Sequence, residues 1–240
     1  MKKLVSAIAF AAAASVALAD GVTANVLGVL RVDSAEKQTI VAVPWVSASA
    51  SGGSAISVAD IVKTDNLTAG DRLCAYENGA YKAWVLANEG GTLVWEAANN
   101  VTVGGSTASE GAANATIARG GALLLIRDNP GPCFFLVGQY TSAAAGTVNL
   151  PAGAWSFVAP PSTANFNLNG ATWSTPNAAD RITIKNASGN MVRMKYDGGE
   201  WKGRDMSDPS STWSAANAVV PAGCGAWYQN AGANAVTVTF

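Results

Sequence analysis

The stretch Val220-Pro221-Ala222-Gly223-Cys224-Gly225-Ala226-Trp227-Tyr228 reads as a tight Pro/Gly turn feeding a buried strand. Roughly a hundred residues upstream stands a partner, Ile117-Ala118-Arg119-Gly120-Gly121-Ala122-Leu123-Leu124-Leu125. Working outward from that pair, the chain reads as two copies of one β-rich unit. Trp155-Ser156-Phe157-Val158-Ala159-Pro160 matches Ile40 to Trp45, with Pro160 on Pro44. Ala179-Asp180-Arg181-Ile182 matches Gly70-Asp71-Arg72-Leu73. Tyr196-Asp197-Gly198-Gly199-Glu200-Trp201 is set against Tyr76-Glu77-Asn78-Gly79-Ala80-Tyr81, and Trp213 against Trp95. Unequal spacing falls at turns: an extra hairpin at Asn186 to Asn190 in the second copy, and an Asn/Gly/Ser loop from Asn99 to Ala115 in the first. Loops absorb insertions at little cost.

The strand candidates are short, rich in β-branched and aromatic residues, and separated by Gly, Pro, Asn or Asp. They include Val26 to Val32, Thr39 to Trp45, Ala69 to Tyr76, Tyr81 to Val85 and Thr92 to Trp95. Ile56 to Val62 suits a strand or one helical turn capped by Ser57 or Asp60. Past the first twenty residues no window holds a helical period for about twelve residues. The expected fold is all-β: two tandem β-sandwich-like repeats, or one larger sandwich with pseudo-twofold symmetry.

Met1-Lys2-Lys3, the apolar run Leu4 to Ala19 and the ending Ala17-Leu18-Ala19 read as a cleaved signal peptide, with the mature chain starting at Asp20. The expected organisation is a signal over 1–19, a first repeat over 20–142, a linker over 143–152 and a second repeat over 153–240. No later run is long and apolar enough for a transmembrane helix. The expected location is secreted or on the cell surface.

Composition narrows the function. Charged residues make up only 13% of the 240 residues, about half the usual share, and the net charge is −1. That leaves no basic footprint for nucleic acid, which is not an expected partner, and no polybasic membrane patch. There is no histidine, so Ser-His-Asp and Cys-His chemistry and His-ligated metals are excluded within the chain. Three cysteines, Cys74, Cys133 and Cys224, show no C-x-x-C spacing. They read as small buried residues or, alternatively, as one Cys74–Cys133 bridge with a thiol left over.

Eight tryptophans are many for this length. Tyr81, Trp84 and Trp201, with Asp197 and Glu200 beside one hairpin, form a candidate glycan site, in which flat rings stack on sugar faces and carboxylates take hydroxyls. The plainer reading is core packing. Asp197, Glu200, Asp205 and Asp208 are the densest carboxylates, but no D-x-D-x-D-G calcium loop is present. No pair of carboxyls is marked as a hydrolase site. No cofactor is implied.

The repeated pattern is a strand ending in Pro, then Asp-Arg, a Tyr-x-x-Gly hairpin, a Trp, and Pro-Ala-Gly-x-Gly-x-Trp. It resembles β-rich modules of secreted and cell-surface proteins of Gram-negative bacteria. Val220 to Tyr228 carries the likeness best; in the first copy Arg119 and Leu124 stand in place of the family-like Ala and Trp. The resemblance implies a duplicated module and no catalytic residues. The expected function is a non-catalytic exported surface or structural protein, self-associating through strand edges. A carbohydrate-binding module and a hydrolase are the alternatives. The expected partners are the protein itself or a surface polysaccharide.

Overall fold

Alternating apolar and polar residues decide the strands, because every second side chain of an extended segment points to one face. The computed structural model describes residues 27–45, 55–77, 80–103, 106–112, 115–139, 147–186 and 189–240. The expected signal segment, the Ser47 to Ser54 loop and the Asn78-Gly79 turn lie outside them. Strands dominate and helix is confined to single turns, so the chain is all-β.

The first set runs β1 (Leu27–Asp33), β2 (Gln38–Ala42), β3 (Ala55–Ser57), the one-turn helix α1 (Val58–Ile61), β4 (Arg72–Glu77), β5 (Ala80–Glu89), β6 (Thr92–Ala97), β7 (Val101–Val103), β8 (Ser106–Glu110), β9 (Thr116–Ala118), β10 (Ala122–Ile126) and β11 (Cys133–Gln139). The second runs β12 (Thr147–Leu150), β13 (Trp155–Val158), β14 (Phe166–Asn167), β15 (Thr172–Trp173), β16 (Arg181–Lys185), β17 (Met191–Asp197), β18 (Glu200–Asp205), β19 (Val219–Val220), β20 (Ala226–Gln229) and β21 (Val236–Thr239). Ile56 to Val62 is both strand and helix: β3 leads into α1, and the Ser57 hydroxyl caps the turn by accepting from the Ala59 N–H at 3.3 Å.

The main sheet of the first set has the order β2-β10-β4-β5, with β6 and β8 both on β5 and β7 beyond β8. The main sheet of the second set has the order β13-β20-β16-β17-β18. Each is flanked by two small pairings, β1–β11 and β3–β9 in the first set, β12–β21 and β14–β19 in the second. A bridge from Val62 to Leu136 stands where β15 pairs with β21.

Strand position corrects several expectations. Glu89-Gly90-Gly91-Thr92, joining β5 to β6, is the positional counterpart of Asp197-Gly198-Gly199-Glu200, joining β17 to β18. Both Gly pairs have positive φ, the requirement of a two-residue hairpin turn. The Tyr76 to Tyr81 segment is one hairpin earlier, opposite the Asn186 to Asn190 turn, which is therefore not an extra element. The Asn99 to Ala115 stretch is not a plain loop: β7 and β8 form there because Val101, Val103 and Ala108 bury against β5. Trp95 lies within β6, whereas Trp213 follows β18, so the two do not correspond. Within the expected linker, Thr147–Leu150 is β12, hydrogen-bonded to β21.

One face of each main sheet makes a core with its small pairings. In the first, Val41, Leu73, Leu86, Leu123 and Leu125 meet Val32, Phe134 and Leu136. In the second, Val158, Ile182, Met194, Trp201 and Tyr228 meet Leu150, Val236 and Val238. Each such side chain contributes about 1.5–3 kcal/mol by leaving water.

The opening stretch is where the sets join. Gly223 and Gly225 bond the free edge of β2: the Ala42 N–H donates to the Gly223 carbonyl at 2.9 Å, and the Gly225 N–H to the Ile40 carbonyl at 2.7 Å. Beside this junction Tyr76 and Tyr81 pack on Phe157, which meets Trp227 edge-on at 4.5 Å.

Candidate functional site

The structure disperses the predicted glycan residues. Trp84 (4% exposed) lies in the first core, with its Nε1 donating to the Ala112 carbonyl at 3.1 Å. Gly111 makes room for it, since a Cβ there would fall 2.2 Å from the indole. Trp201 (0%) lies in the second core between Trp173, Tyr196 and Tyr228. Tyr81 (8%) lies in the aromatic junction between the sets. No two of the three share a surface, and buried rings offer no face to a sugar. The glycan assignment on these residues is therefore corrected to core packing.

Asp197 and Glu200 are exposed at the β17–β18 turn. Asp197 lies 3.4 Å from both Lys195 and Lys202, and Glu200 lies 3.6 Å from Lys202. The hydrogen bond from Lys202, aided by the charge of Lys195, holds the Asp197 carboxyl below its usual range.

The Cys74–Cys133 bridge is also corrected: all three cysteines are free thiols. Cys74 points to the sheet face shared with Ile40 and Leu124, whereas β11 covers the opposite face. The sheet thus stands between the two sulfurs. Cys133 Sγ instead accepts from Asn66 Nδ2 at 3.4 Å. Burial pushes the Cys74 thiol up to about 12, against the lowering field of Arg72, and the Cys224 thiol up to about 12. Neither is a thiolate nucleophile at neutral pH.

The acids of the two Asp-Arg dipeptides organise their surroundings. Asp71 and Asp180 are buried just before β4 and β16. Asp71 accepts from the Thr68 N–H at 2.9 Å and the Asp128 N–H at 3.0 Å. Asp180 accepts from the Asn177 N–H at 2.8 Å and the Ala231 N–H at 2.8 Å. Each carboxylate closes its own turn and pins the chain leaving β10 or β20. The next buried pair also corresponds. Arg127, after β10, donates to the carbonyls of Gly131, Ser34 and Glu36. Asn230, after β20, donates to those of Asn234 and Leu150. The sequence signal was the shared Asp-Arg dipeptide; the Arg127/Asn230 correspondence has no shared letter to reveal it.

A groove of about 840 Å³ runs between the sets, walled by the β1–β2 connection, the β16–β17 turn and the Pro221 to Gly225 turn. Ile40, Leu124, Cys224 and Trp227 give it an apolar lining, and the Glu36–Lys185 ion pair crosses it. Its acidic groups are partnered, Glu36 by Lys185 and Asp33 by Arg31 at 2.7 Å. The thiol that lines it, Cys224, has its pKa raised by burial.

No family model, curated protein or solved structure matches the chain.

Proposed function

We propose that this chain is a non-catalytic, exported surface or structural protein built by internal duplication of one two-layered, sandwich-like β unit. The observation that carries the reading is the positional agreement of Asp71 with Asp180: each is buried, opens the third strand of its main sheet, and ties the same two backbone segments. The matching strand orders support it independently. Asp71 and Asp180 are engaged in turns, Asp197 and Glu200 in ion pairs, and Tyr81, Trp84 and Trp201 in cores. The signal-like segment over residues 1–19 supports export.

Self-association would use an open strand edge. Among the described residues β1 pairs only with β11, is seven residues long and exposes Val29. The test has two readouts. Expression in a Gram-negative host, followed by fractionation and N-terminal mass measurement, should give a periplasmic or external protein beginning at Asp20. A cytoplasmic protein retaining Met1 would sink the export reading. Sedimentation across concentration should show association weakened by Val29→Lys; a monomer throughout would remove the self-associating form.

A further inference from the structure

The face of the second main sheet turned away from its core carries a cationic ladder. One cross-strand row runs Trp155, Gln229, Arg181, Lys195, Lys202. The adjacent row runs Phe157, Trp227, Thr183, Arg193, Arg204. Of the fifteen lysines and arginines in the sequence, six stand on β16, β17 and β18: these five and Lys185. In a chain of net charge −1 that is a strong local concentration.

The arrangement is unfavourable for the sheet alone. Arg181 is directly opposite Lys195, Lys195 opposite Lys202, and Arg193 opposite Arg204. Like charges in register destabilise paired strands. Asp197 and Glu200 offset the ladder only at its hairpin end, touching Lys195 and Lys202. Asp208 lies close enough for the Arg204 charge to act on its carboxyl, but among the described residues neither Arg193 nor Arg204 has an ion-pair partner. The Arg204 Nε is buried without a hydrogen-bond acceptor.

Exposed indoles flank the ladder. Trp155, 44% exposed, begins the first row and meets Trp227 edge-on at 6.2 Å. On the far side the Gly203–Ser214 bridge extends the sheet, and there Trp213, 36% exposed, lies 5.2 Å from the Lys195 ammonium. The corresponding face of the first sheet differs. Cys74, Tyr81, Ala83 and Leu124 make it apolar, and Val101, Val103 and Ala108 of the β7–β8 hairpin cover it. The second set has no such hairpin among the described residues: Phe157 and Trp227 at one end of its face pack against Tyr76 and Tyr81 of the first set, and the cationic remainder is exposed at Arg193 and half-buried at Arg181, Lys195, Lys202 and Arg204.

We infer that this face binds an anionic polysaccharide: carboxylates along the chain meet Arg181, Arg193, Lys195, Lys202 and Arg204, and sugar faces stack on Trp155 and Trp213. Adjacent strands lie about 4.8 Å apart, so cations in one row meet successive charges of a linear polymer. Stacking surfaces at the ends with charge between them match a polymer that alternates apolar ring faces with carboxylates. Nucleic acid, the other linear polyanion, fits less well with a chain whose net charge is −1, and the DNA arm of the test decides between the two. The ligand choice rests on the proposed export, which brings the chain to external glycans; the binding itself is tested in vitro and stands or falls apart from export.

The experiment is titration of the purified protein with polygalacturonate, with neutral dextran and a short single-stranded DNA alongside. The charge-reversal pair Arg193→Glu/Lys202→Glu is compared with Arg31→Glu/Lys63→Glu, which makes the same charge change elsewhere. Polygalacturonate should bind, more weakly as salt rises, and dextran should not. The Arg193/Lys202 pair should weaken binding about tenfold or more, and the Arg31/Lys63 pair less than about twofold. Trp155→Ala should also weaken it with no change in melting temperature. No binding of polygalacturonate, equal losses in both charge pairs, or tighter binding of the DNA than of polygalacturonate would each overturn the assignment.

Discussion

The Tyr228 hydroxyl donates to the Asp180 carboxylate at 2.6 Å, and neither side chain reaches solvent. Asp180 also holds the backbone N–H groups of Asn177 and Ala231, so one acid ties β16, β20 and the turn before β16. Asp180→Ala leaves the buried Tyr228 hydroxyl and two partly buried N–H groups without their acceptor, at an expected total of about 2–4 kcal/mol. Tyr228→Phe removes one bond and should cost about 1–2 kcal/mol. Urea unfolding of both single variants and the double should show strong non-additivity. Near-additive losses would mean that the bond contributes little.

Trp84→Ala and Trp201→Ala should act on stability, each lowering it by about 3–5 kcal/mol through the cavity left in a core. Trp155→Ala, at an exposed ring, should stay within about 0.5 kcal/mol. Denaturant midpoints of the three variants check this. A stable Trp201→Ala chain would contradict its place in the second core.

Gly225 has no room for a side chain. A Cβ there would lie 2.6 Å from Ile40 Cγ2 and 2.9 Å from the Val158 carbonyl oxygen, at the junction of the two sets. Gly225→Ala should cost about 1–3 kcal/mol by overpacking. At Gly170 the nearest contact is Phe166, 3.4 Å away, so Gly170→Ala should be milder. Thermal melts of the two variants side by side decide the order.

Stability should fall at alkaline pH. Burial, helped by Tyr76 and Cys74, pushes Tyr81 up to about 12; Cys74 and Cys224 are pushed up to about 12; and burial with the Asp180 bond raises Tyr228. In the unfolded chain these groups release protons at their ordinary pKa values, 9.0 for the thiols and 10.0 for the phenols. Between those values and the folded ones, the unfolded state binds fewer protons, so stability declines as pH rises. Melting temperature should be level between about pH 7 and 8.5 and drop from about pH 9 upward, less steeply in Cys224→Ala. A melting temperature unchanged to pH 11 would refute the burial of these groups.

Three free thiols should be titrated per unfolded chain without reductant, and far fewer in the native protein, because Cys74 and Cys133 are buried and Cys224 is partly so. Dithiothreitol should leave the melting temperature unchanged. One thiol per unfolded chain would restore the disulfide reading.

Much of the strand framework was legible in the letters, because side-chain alternation is a local property. Asp71-Arg72 and Asp180-Arg181, Pro44 and Pro160, and the Gly-rich turns before Leu123 and Ala226 mark strand boundaries directly. Local similarity sets Tyr196 to Trp201 against Tyr76 to Tyr81, whereas strand order sets its Gly198-Gly199 turn against Gly90-Gly91. The β7–β8 hairpin was hidden by its Asn, Gly and Ser composition, although Val101-Thr102-Val103 alternates.

The sequence by itself determined an all-β chain, because β-branched alternation between turn residues leaves no helical face to bury. It also excluded histidine chemistry outright. Which face of each strand meets a core was decided only by tertiary structure, since period-two alternation distinguishes two faces without saying what covers either. Trp84 and Trp201 face cores, while Trp155 and Trp213 remain exposed, though all are tryptophans among similar neighbours. Arg193, Lys195, Lys202 and Arg204 alternate visibly in the sequence, but only the β16-β17-β18 register makes them one surface with Arg181. Cross-strand pairing sets that distance, and it joins residues that the chain itself keeps apart.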